Sequence, residues 1–575
     1  MKKLLVALVA LVLAPCALVA QGVVSSADPR ATQAGQDILR QGGSAADAAM
    51  AMMLALTVVE PQSSGIGGGG FLIHHDGKSG LIDTIDGREK APAAARQDRF
   101  LGPDGNPQPY LVSIAGGKSV GVPGNVRLMA MAHAKWGKLP WKALFAPAIR
   151  LADEGYLVTR PLAGASANLA PIWKGGTDPI PGPDGTMARS PINGSFPDIA
   201  RLYAPDGKPL TEGQRIRNPA LAKLLRKLAD DGPDAFYTGG NAEALVKATA
   251  GASVAPSDMT LADVAAYQAK ARPAVCSHYR KWRVCGMGPP SSGATTVFQI
   301  LGMLERFDMA RLGKDSPVAW HLIAEAMQLA YADREMYLAD RDFVEVPVAG
   351  LLDPAYMARR SRLISMTRAR GRYEAGSPPG APQRVRAVQN EVPSTTHFVA
   401  VDRDGDVATM TSTIEGPFGS QLIANGYALN NELTDFTRAP VKDGYLVANR
   451  VEGGKRPLSS MSPTIVYDET GKPVFTVGAA GGKTIIMQVA KAIIAHLDWG
   501  LGAEQSLGEG LVYFGDNGVI LERGTARETL KAPLEAMGHK VVIAPLGLKA
   551  NAAERTPQGW VGAADPRSVG TWASE

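Results

Sequence analysis

Apolar residues recur with helical spacing over residues 31–39 and 44–59, and Gly42-Gly43 separates the two runs. Ser44, with Asp47 three residues on, forms a variant of the capping box that opens the second helix, and Glu60-Pro61 closes it. A glycine-rich run from Gly65 to Gly70 leads into Phe71-Leu-Ile-His-His75, which reads as a strand. Val122-Pro-Gly-Asn125 predicts a turn, then a helix to about Trp136. Residues 175–198, rich in Gly, Pro and Asp, read as a surface excursion, and residues 321–338 as a long amphipathic helix. Residues 366–393 are polar, with Arg, Gly and Pro clustered, and predict a flexible segment leading into Thr395. From Thr395 the pattern changes to β. Residues 398–401 and 407–411 flank Asp404-Gly405, and a two-residue loop there pairs Val401 with Ala408, Phe398 with Thr411 and Thr396 with Thr413. Two further short strands surround Arg280-Lys281 and pair Tyr279 with Trp282 and Cys276 with Cys285.

With 575 residues the chain can bury a large core; 45% hydrophobic and 20% charged residues are ordinary for a globular protein. A net charge of +5, with no block of Lys or Arg, gives no nucleic-acid footprint. Lys2 and Lys3 precede an apolar stretch over 4–14, and Leu18-Val19-Ala20 ends in a small residue, so residues 1–20 read as a signal peptide cleaved after Ala20. Pro15 before Cys16 argues against a lipoprotein box. The apolar run is too short to span a bilayer, and the mature chain is expected to be exported, periplasmic or secreted. In oxidising surroundings Cys276 and Cys285 can form a cross-strand disulfide; two unpaired thiols in a strand pair are the alternative.

Gly65–Gly70 spells G-x-G-x-x-G, but a dinucleotide loop follows a strand and opens a helix. Here the order is helix, glycines, strand, so the glycines are expected to permit close backbone approach, and no cofactor is implied. His321 and Glu325 share a helix face at i,i+4, a metal-ligand spacing. With no third ligand in view they read as a packing or surface pair, and no metal is expected.

The chemistry centres on Ser394-Thr395-Thr396-His397-Phe398. A threonine hydroxyl is a poor nucleophile without an adjoining base. Cleavage between Ser394 and Thr395 frees an α-amino group, of pKa about 7.7–8.0, that can take the proton from its own residue's hydroxyl. The hairpin carries Thr413 close to Thr395, where its hydroxyl can orient the nucleophile. Arg88, in Asp86-Gly-Arg88-Glu-Lys-Ala-Pro92, offers a guanidinium suited to a carboxylate. Glu432 and Asp435 offer carboxylates for an ammonium, and Ser459-Ser460 offers paired hydroxyls. Gly481 and Gly482, at the start of a helix, offer backbone N–H groups for an oxyanion.

Together and in this order these segments resemble the γ-glutamyltransferase family of N-terminal-nucleophile hydrolases. The resemblance covers nearly the whole mature chain and includes Gly42-Gly-Ser-Ala-Ala-Asp47, Ser64-Gly-Ile-Gly-Gly-Gly-Gly70, Arg88-Glu-Lys-Ala-Pro92, Leu139-Pro-Trp141, Pro289-Pro-Ser-Ser-Gly293, Ala330-Tyr-Ala-Asp-Arg334, Thr395-Thr-His397, Arg456-Pro-Leu-Ser-Ser-Met461 and Asp565-Pro-Arg567. It implies an α+β fold, a four-layer αββα sandwich. It also implies a proenzyme that cleaves itself between Ser394 and Thr395 into a large subunit, 21–394, and a small catalytic subunit, 395–575, which together form one αββα unit. Thr395 is then the nucleophile, its amine the base, and Thr413 the orienting group. Arg88, Ser459 and Ser460 hold the α-carboxylate of a γ-glutamyl group, Glu432 and Asp435 its α-amine, and Gly481 and Gly482 the oxyanion. The implied donor is a small γ-glutamyl compound such as glutathione, with an amino acid, a dipeptide or water as acceptor, and neither nucleic acid nor a membrane span is implied.

Two departures bear on substrate. Glu415 stands where many members carry Asn, as it does in some others, and it still suits an amine. Residues 437–454 are fewer than in the lid loop of some members, which leaves the pocket more open to bulky donors. The alternatives are therefore a cephalosporin or glutaryl-type acylase, or a poly-γ-glutamate-processing enzyme, of the same family. A third is an uncut, inactive binding protein, against which Thr395, Thr413 and Gly481-Gly482 together argue. A glutaryl group lacks the ammonium, so Arg88 is neutral between the first alternative and a γ-glutamyl donor, while Glu432 and Asp435 favour the donor.

Overall fold

The strands that follow Thr395 form the middle of a seven-stranded antiparallel sheet. In the computed structural model, which describes residues 22–175, 179–181, 187–189, 195–389, 394–515 and 518–575, its order is Thr571–Ser574, Val23–Ser26, Thr396–Val401, Val407–Thr413, Gly69–His75, Ile82–Gly87, Lys270–Arg272. A six-stranded antiparallel sheet runs Gly559–Ala564, Lys549–Thr556, Pro473–Ala480, Thr464–Tyr467, Trp282–Gly286, Val275–Tyr279. The chain is thus a mixed α/β protein. The expected leader, 1–20, lies outside the described residues, as do parts of the 175–198 excursion and of the 366–393 segment.

Alternation along each strand sorts side chains onto two faces. Val399 and Val401 join Val23, Ile73 and Val407 against Cys285, Ile465, Tyr467 and Ala553 of the six-stranded sheet, so the two sheets face each other. Phe398 and Ala400 point the other way, into a cluster with Ile38 of the helix Pro29–Arg40 and Met52, Met53 and Leu56 of the helix Ala45–Val59. Val466, Phe475 and Val477 pack outward on the helices Gly293–Leu304, Pro317–Tyr337 and Thr484–Leu497.

The capping box at Ser44 is formed in both directions: the Asp47 N–H donates to Ser44 Oγ at 3.0 Å and the Ser44 N–H to Asp47 Oδ2 at 3.1 Å. The helix Asn125–Trp136 follows its turn as expected. The helix Pro317–Tyr337 differs from expectation. It is buried at every position from Ala319 to Arg334, so it is not amphipathic, and its polar residues must find partners inside the protein.

The hairpin register also differs. Val401 pairs with Val407 and Thr396 with Ser412, one residue off the expected pairing. The loop holds three residues, not two. Asp402 Oδ1 accepts the N–H groups of Asp404 and Asp406, the Asp402 N–H donates to the Asp406 carbonyl, and Gly405 takes φ +85°. The slip brings Thr395, rather than Thr396, into line with Thr413. Cys276 pairs with Cys285 across the other hairpin, and the two are joined in a disulfide.

Candidate active site

Thr395 lies at the mouth of its strand with φ +112°, a conformation that a β-branched residue rarely adopts and that costs on the order of 1–3 kcal/mol. Its Oγ1 donates to Thr413 Oγ1 at 3.1 Å, and Thr413 Oγ1 also accepts the Glu415 N–H at 2.8 Å. The peptide carbonyl before it, that of Ser394, accepts the Gly481 N–H at 3.3 Å. Gly481 takes φ +129° and Gly482 φ +59°. Their turn is tied to the helix Thr484–Leu497 through Thr484 Oγ1, which donates to the Gly481 carbonyl at 2.8 Å.

The next residue is anchored as firmly. Thr396 Oγ1 donates to Glu60 Oε2 at 2.5 Å, and Lys549 Nζ donates to both Glu60 oxygens at 3.0 Å. His397 is buried between the sheets, 2.8 Å from Thr411 Oγ1 and 3.2 Å from Thr409 Oγ1. Burial holds its pKa down at about 3. It stays neutral and packed, with its ring where a Cβ on Gly478 would lie 2.3 Å away. His397, two residues from Thr395, is therefore a spacer between sheets, with its ring nitrogens on Thr411 and Thr409.

A small cavity is lined by Arg88, Thr395, Thr413, Glu415, Glu432, Asp435, Ser459, Ser460 and Gly482, together with Met461 and Ile485. The segments singled out in the sequence thus converge on one space. Ser394 and Gly481 adjoin it through the Ser394 carbonyl.

Within the cavity Arg88 departs from the expected division of labour. Its guanidinium is fully buried and pairs with Glu432 through Nη1 and with Asp435 Oδ2 through Nη2 at 2.6 Å; Nη2 and Nε also donate to the Leu458 and Pro457 carbonyls at 2.9 and 3.2 Å. The carboxylates expected to hold an ammonium thus already hold the arginine expected to hold a carboxylate. Glu89, not singled out from the sequence, lies 3.8 Å from Nη1. Burial pushes Glu89 up to about 7, against the pull of Arg88, and pushes Glu432 well above the carboxylate range, against Arg88 and with help from the charges of Glu89 and Glu415. One buried cation thus faces three acids, and burial favours the neutral form of two of them, Glu89 and Glu432.

Three further groups escaped the sequence reading. Arg334 Nη2 donates to Ser460 Oγ at 2.8 Å and its Nε to Ser292 Oγ at 2.8 Å, which places a second guanidinium behind the paired serines. Tyr110 donates to Glu415 Oε1 at 3.3 Å. Far from the cavity, His539 lies against His321 and Glu325 and supplies the third ligand-type side chain that the sequence did not reveal. Arg334 sits in one of the motifs quoted above; Tyr110 and His539 carry no local signal.

A family model described as Gamma-glutamyltranspeptidase matches residues 31–574. The chain is 36% identical over 559 residues to the glutathione hydrolase proenzyme of Escherichia coli K12, covering 96% of this chain and 91% of that protein. It is 34% identical over 561 residues to the acylase ACY 1 proenzyme of Pseudomonas sp. strain SE83, covering 96% and 93%. The crystal structure of a cephalosporin acylase from Bacillus halodurans superposes with a TM-score of 0.81 at 26% identity, over 96% of this chain and 95% of that one.

Proposed function

Since the chain belongs to the gamma-glutamyltranspeptidase family, we propose that it is a self-processing γ-glutamyltransferase with glutathione hydrolase activity. The observation that carries the reading is the alignment at the Ser394–Thr395 bond, with the hydroxyl of Thr395 held by Thr413 and the carbonyl of Ser394 held by the Gly481 N–H.

In processing, Thr395 Oγ1 attacks the Ser394 carbonyl carbon and Gly481 stabilises the oxyanion. The C–N bond breaks as the hydroxyl proton passes to the nitrogen, which becomes the free α-amine, the acyl group stays on Oγ1, and water hydrolyses the ester. The positive φ at Thr395 favours this direction, since the cut releases the strain. The products are a large subunit ending at Ser394 and a small subunit starting at Thr395, after loss of a leader over 1–20 and export. Among the described residues no helix is long and apolar enough to cross a membrane. The three apolar clusters support a four-layer αββα arrangement shared by both subunits.

In turnover the α-amine takes the Thr395 hydroxyl proton as Oγ1 attacks the γ-glutamyl carbonyl. The N–H groups of Gly481 and Gly482 receive the oxyanion, the leaving amine takes the proton, and the γ-glutamyl ester passes to water or to the amine of an amino acid or dipeptide. The excess of acids around Arg88 suits a donor that brings its own ammonium to Asp435, Glu432 and Glu415. Its α-carboxylate then takes over donors of Arg88 beside Ser459 and Ser460. Electrophoresis of the purified protein and turnover of a γ-glutamyl anilide test the reading; a single uncut chain without turnover would overturn it.

The second reading, an acylase for cephalosporin or glutaryl-type amides, is favoured by the likeness to the Pseudomonas and Bacillus acylases. A glutaryl amide assayed beside the anilide separates the two, since the acid-rich pocket favours the donor with the ammonium.

A further inference from the structure

Buried in the helical layer over the six-stranded sheet, His321, Glu325 and His539 bring one ligand atom each within 4.8 Å of one another. His321 and Glu325 are one turn apart on the helix Pro317–Tyr337, and His539 enters from the segment before the strand Val541–Ala544. We propose that these three side chains form a zinc-type divalent metal site, separate from the cavity at Thr395.

The surroundings fix the imidazoles in the required form. His321 Nε2 lies 2.8 Å from the Ser365 carbonyl, which can only accept, so Nε2 carries the proton and Nδ1 presents a lone pair. His539 Nε2 lies 2.7 Å from that Nδ1. Without metal, the proton between the rings resides on His539 Nε2. Metal binding moves it to His539 Nδ1, by way of solvent at the edge of a residue that is 7% exposed, and the net charge of the pair is unchanged. A ligating imidazole whose other nitrogen donates to a backbone carbonyl is the usual outer-shell arrangement of zinc sites.

Glu325 supplies the reason for a cation. Its carboxylate is fully buried and accepts from the Tyr373 hydroxyl, the Arg370 N–H and Gln328 Nε2, all neutral donors, and among the described residues it forms no ion pair with a lysine or arginine. A buried carboxylate calls for a compensating positive charge, and a metal between it and two imidazoles provides one. Two nitrogens and one oxygen suit zinc or cobalt, whereas magnesium and calcium demand oxygen ligands. Tetrahedral ligands at zinc distances stand ~3.3 Å apart. The cation therefore draws the carboxylate inward and parts the two rings by a fraction of an ångström, leaving water as the fourth ligand on the side of His539.

The test uses untagged purified protein, stripped with EDTA and desalted. Co²⁺ titration should give visible d–d bands that saturate at one equivalent and vanish on addition of Zn²⁺. His539→Ala should weaken Co²⁺ binding by about a hundredfold or more, and Tyr373→Phe, which removes a hydrogen bond to the ligating carboxylate, by about tenfold. Zn²⁺ should raise the Tm of the wild type and not that of His539→Ala. Wild-type protein that takes up neither ion overturns the proposal without recourse to any variant, and so does uptake that His539→Ala leaves unchanged.

Discussion

Thr395 and Thr413 stand opposite each other at the open end of one antiparallel ladder, their hydroxyl oxygens 3.1 Å apart. Asp402 and Gly405, at the closed end of the same hairpin, set that alignment through a three-residue loop. The position of Thr395, the proposed nucleophile, is thus fixed by a turn at the far end of the strand pair.

Replacing Thr395 with Ala should leave one chain where the wild type gives two, and abolish turnover of a γ-glutamyl anilide. Mass spectrometry of the wild-type small fragment should place its first residue at Thr395. Efficient cleavage in the variant would show that another group attacks the bond.

With the α-amine of Thr395 as base, activity should rise with pH as that amine loses its proton, over a limb centred at about 7.7–8. His397, held neutral down to about pH 3, contributes nothing to this limb. Acetylation of the new N-terminus should remove both the limb and the activity. A profile flat from pH 6 to 9 under single-turnover conditions would count against the amine.

Asp435→Asn keeps the shape and removes the charge offered to a donor's ammonium. At about 1.5–3 kcal/mol per charged hydrogen bond, kcat/KM for a γ-glutamyl donor should fall roughly tenfold to a hundredfold. Self-cleavage should continue. Because Asp435 also pairs with Arg88 Nη2, turnover of a glutaryl amide should fall less than that of the γ-glutamyl donor, whereas Arg88→Lys, which loses the guanidinium fork, should weaken both donors alike. Unchanged γ-glutamyl turnover in Asp435→Asn would remove the assigned amine pocket.

Gly68→Ala probes the glycine-rich run, which packs behind Thr413 and does not itself line the cavity. A methyl group there would lie 1.9 Å from the Thr413 carbonyl oxygen, a backbone atom that can yield only if the strand shifts. The variant should lose about 1–3 kcal/mol of stability and accumulate uncut chain. Normal processing and an unchanged Tm would mean that the strand gives way more easily than its packing suggests.

His74 provides a test of stability against pH. It is buried and stacked on Trp136, with ring centroids 4.1 Å apart. Burial holds its pKa down at about 4, against the opposing charges of Asp76 and Asp83. The unfolded chain, with an ordinary histidine pKa of about 6.5, therefore binds the extra proton first, and stability present above pH 6.5 is lost as pH falls toward 4. Between pH 7 and 5 this one group should cost on the order of 2 kcal/mol. Urea unfolding of His74→Phe should show a correspondingly flatter dependence, and parallel curves for the two proteins would refute the assignment.

Much of the site was legible because its signals are local. The Ser44–Asp47 cap, the Gly481-Gly482 turn before its helix and the Tyr279–Trp282 hairpin each follow from a few adjacent residues. What the sequence concealed is non-local. The loop after Val401 was misread because the Asp402 side chain, not the Asp-Gly pair alone, determines its length. Arg88 was assigned a substrate that Glu432 and Asp435, 344 and 347 positions away, already mimic. His321 and Glu325 lacked a third partner until folding brought His539 across 218 residues. The helix that carries them read as amphipathic because polar residues buried with partners look, in sequence, like residues facing water.

The strand Val23–Ser26 lies between Thr571–Ser574 and Thr396–Val401, so the first strand among the described residues is flanked on both sides by strands from beyond the Ser394–Thr395 bond. One polypeptide reaches this weave by folding on itself. Two polypeptides would have to meet in solution and thread an end between strands already paired, without the high local concentration that a shared backbone confers. With the proposed cut at Ser394–Thr395, that bond acts as an assembly tether that is spent when the enzyme matures. The uncut Thr395→Ala chain should recover from denaturant, while the cut protein, once its fragments part, should not. Its lifetime is then set by the rate of unfolding and not by an equilibrium.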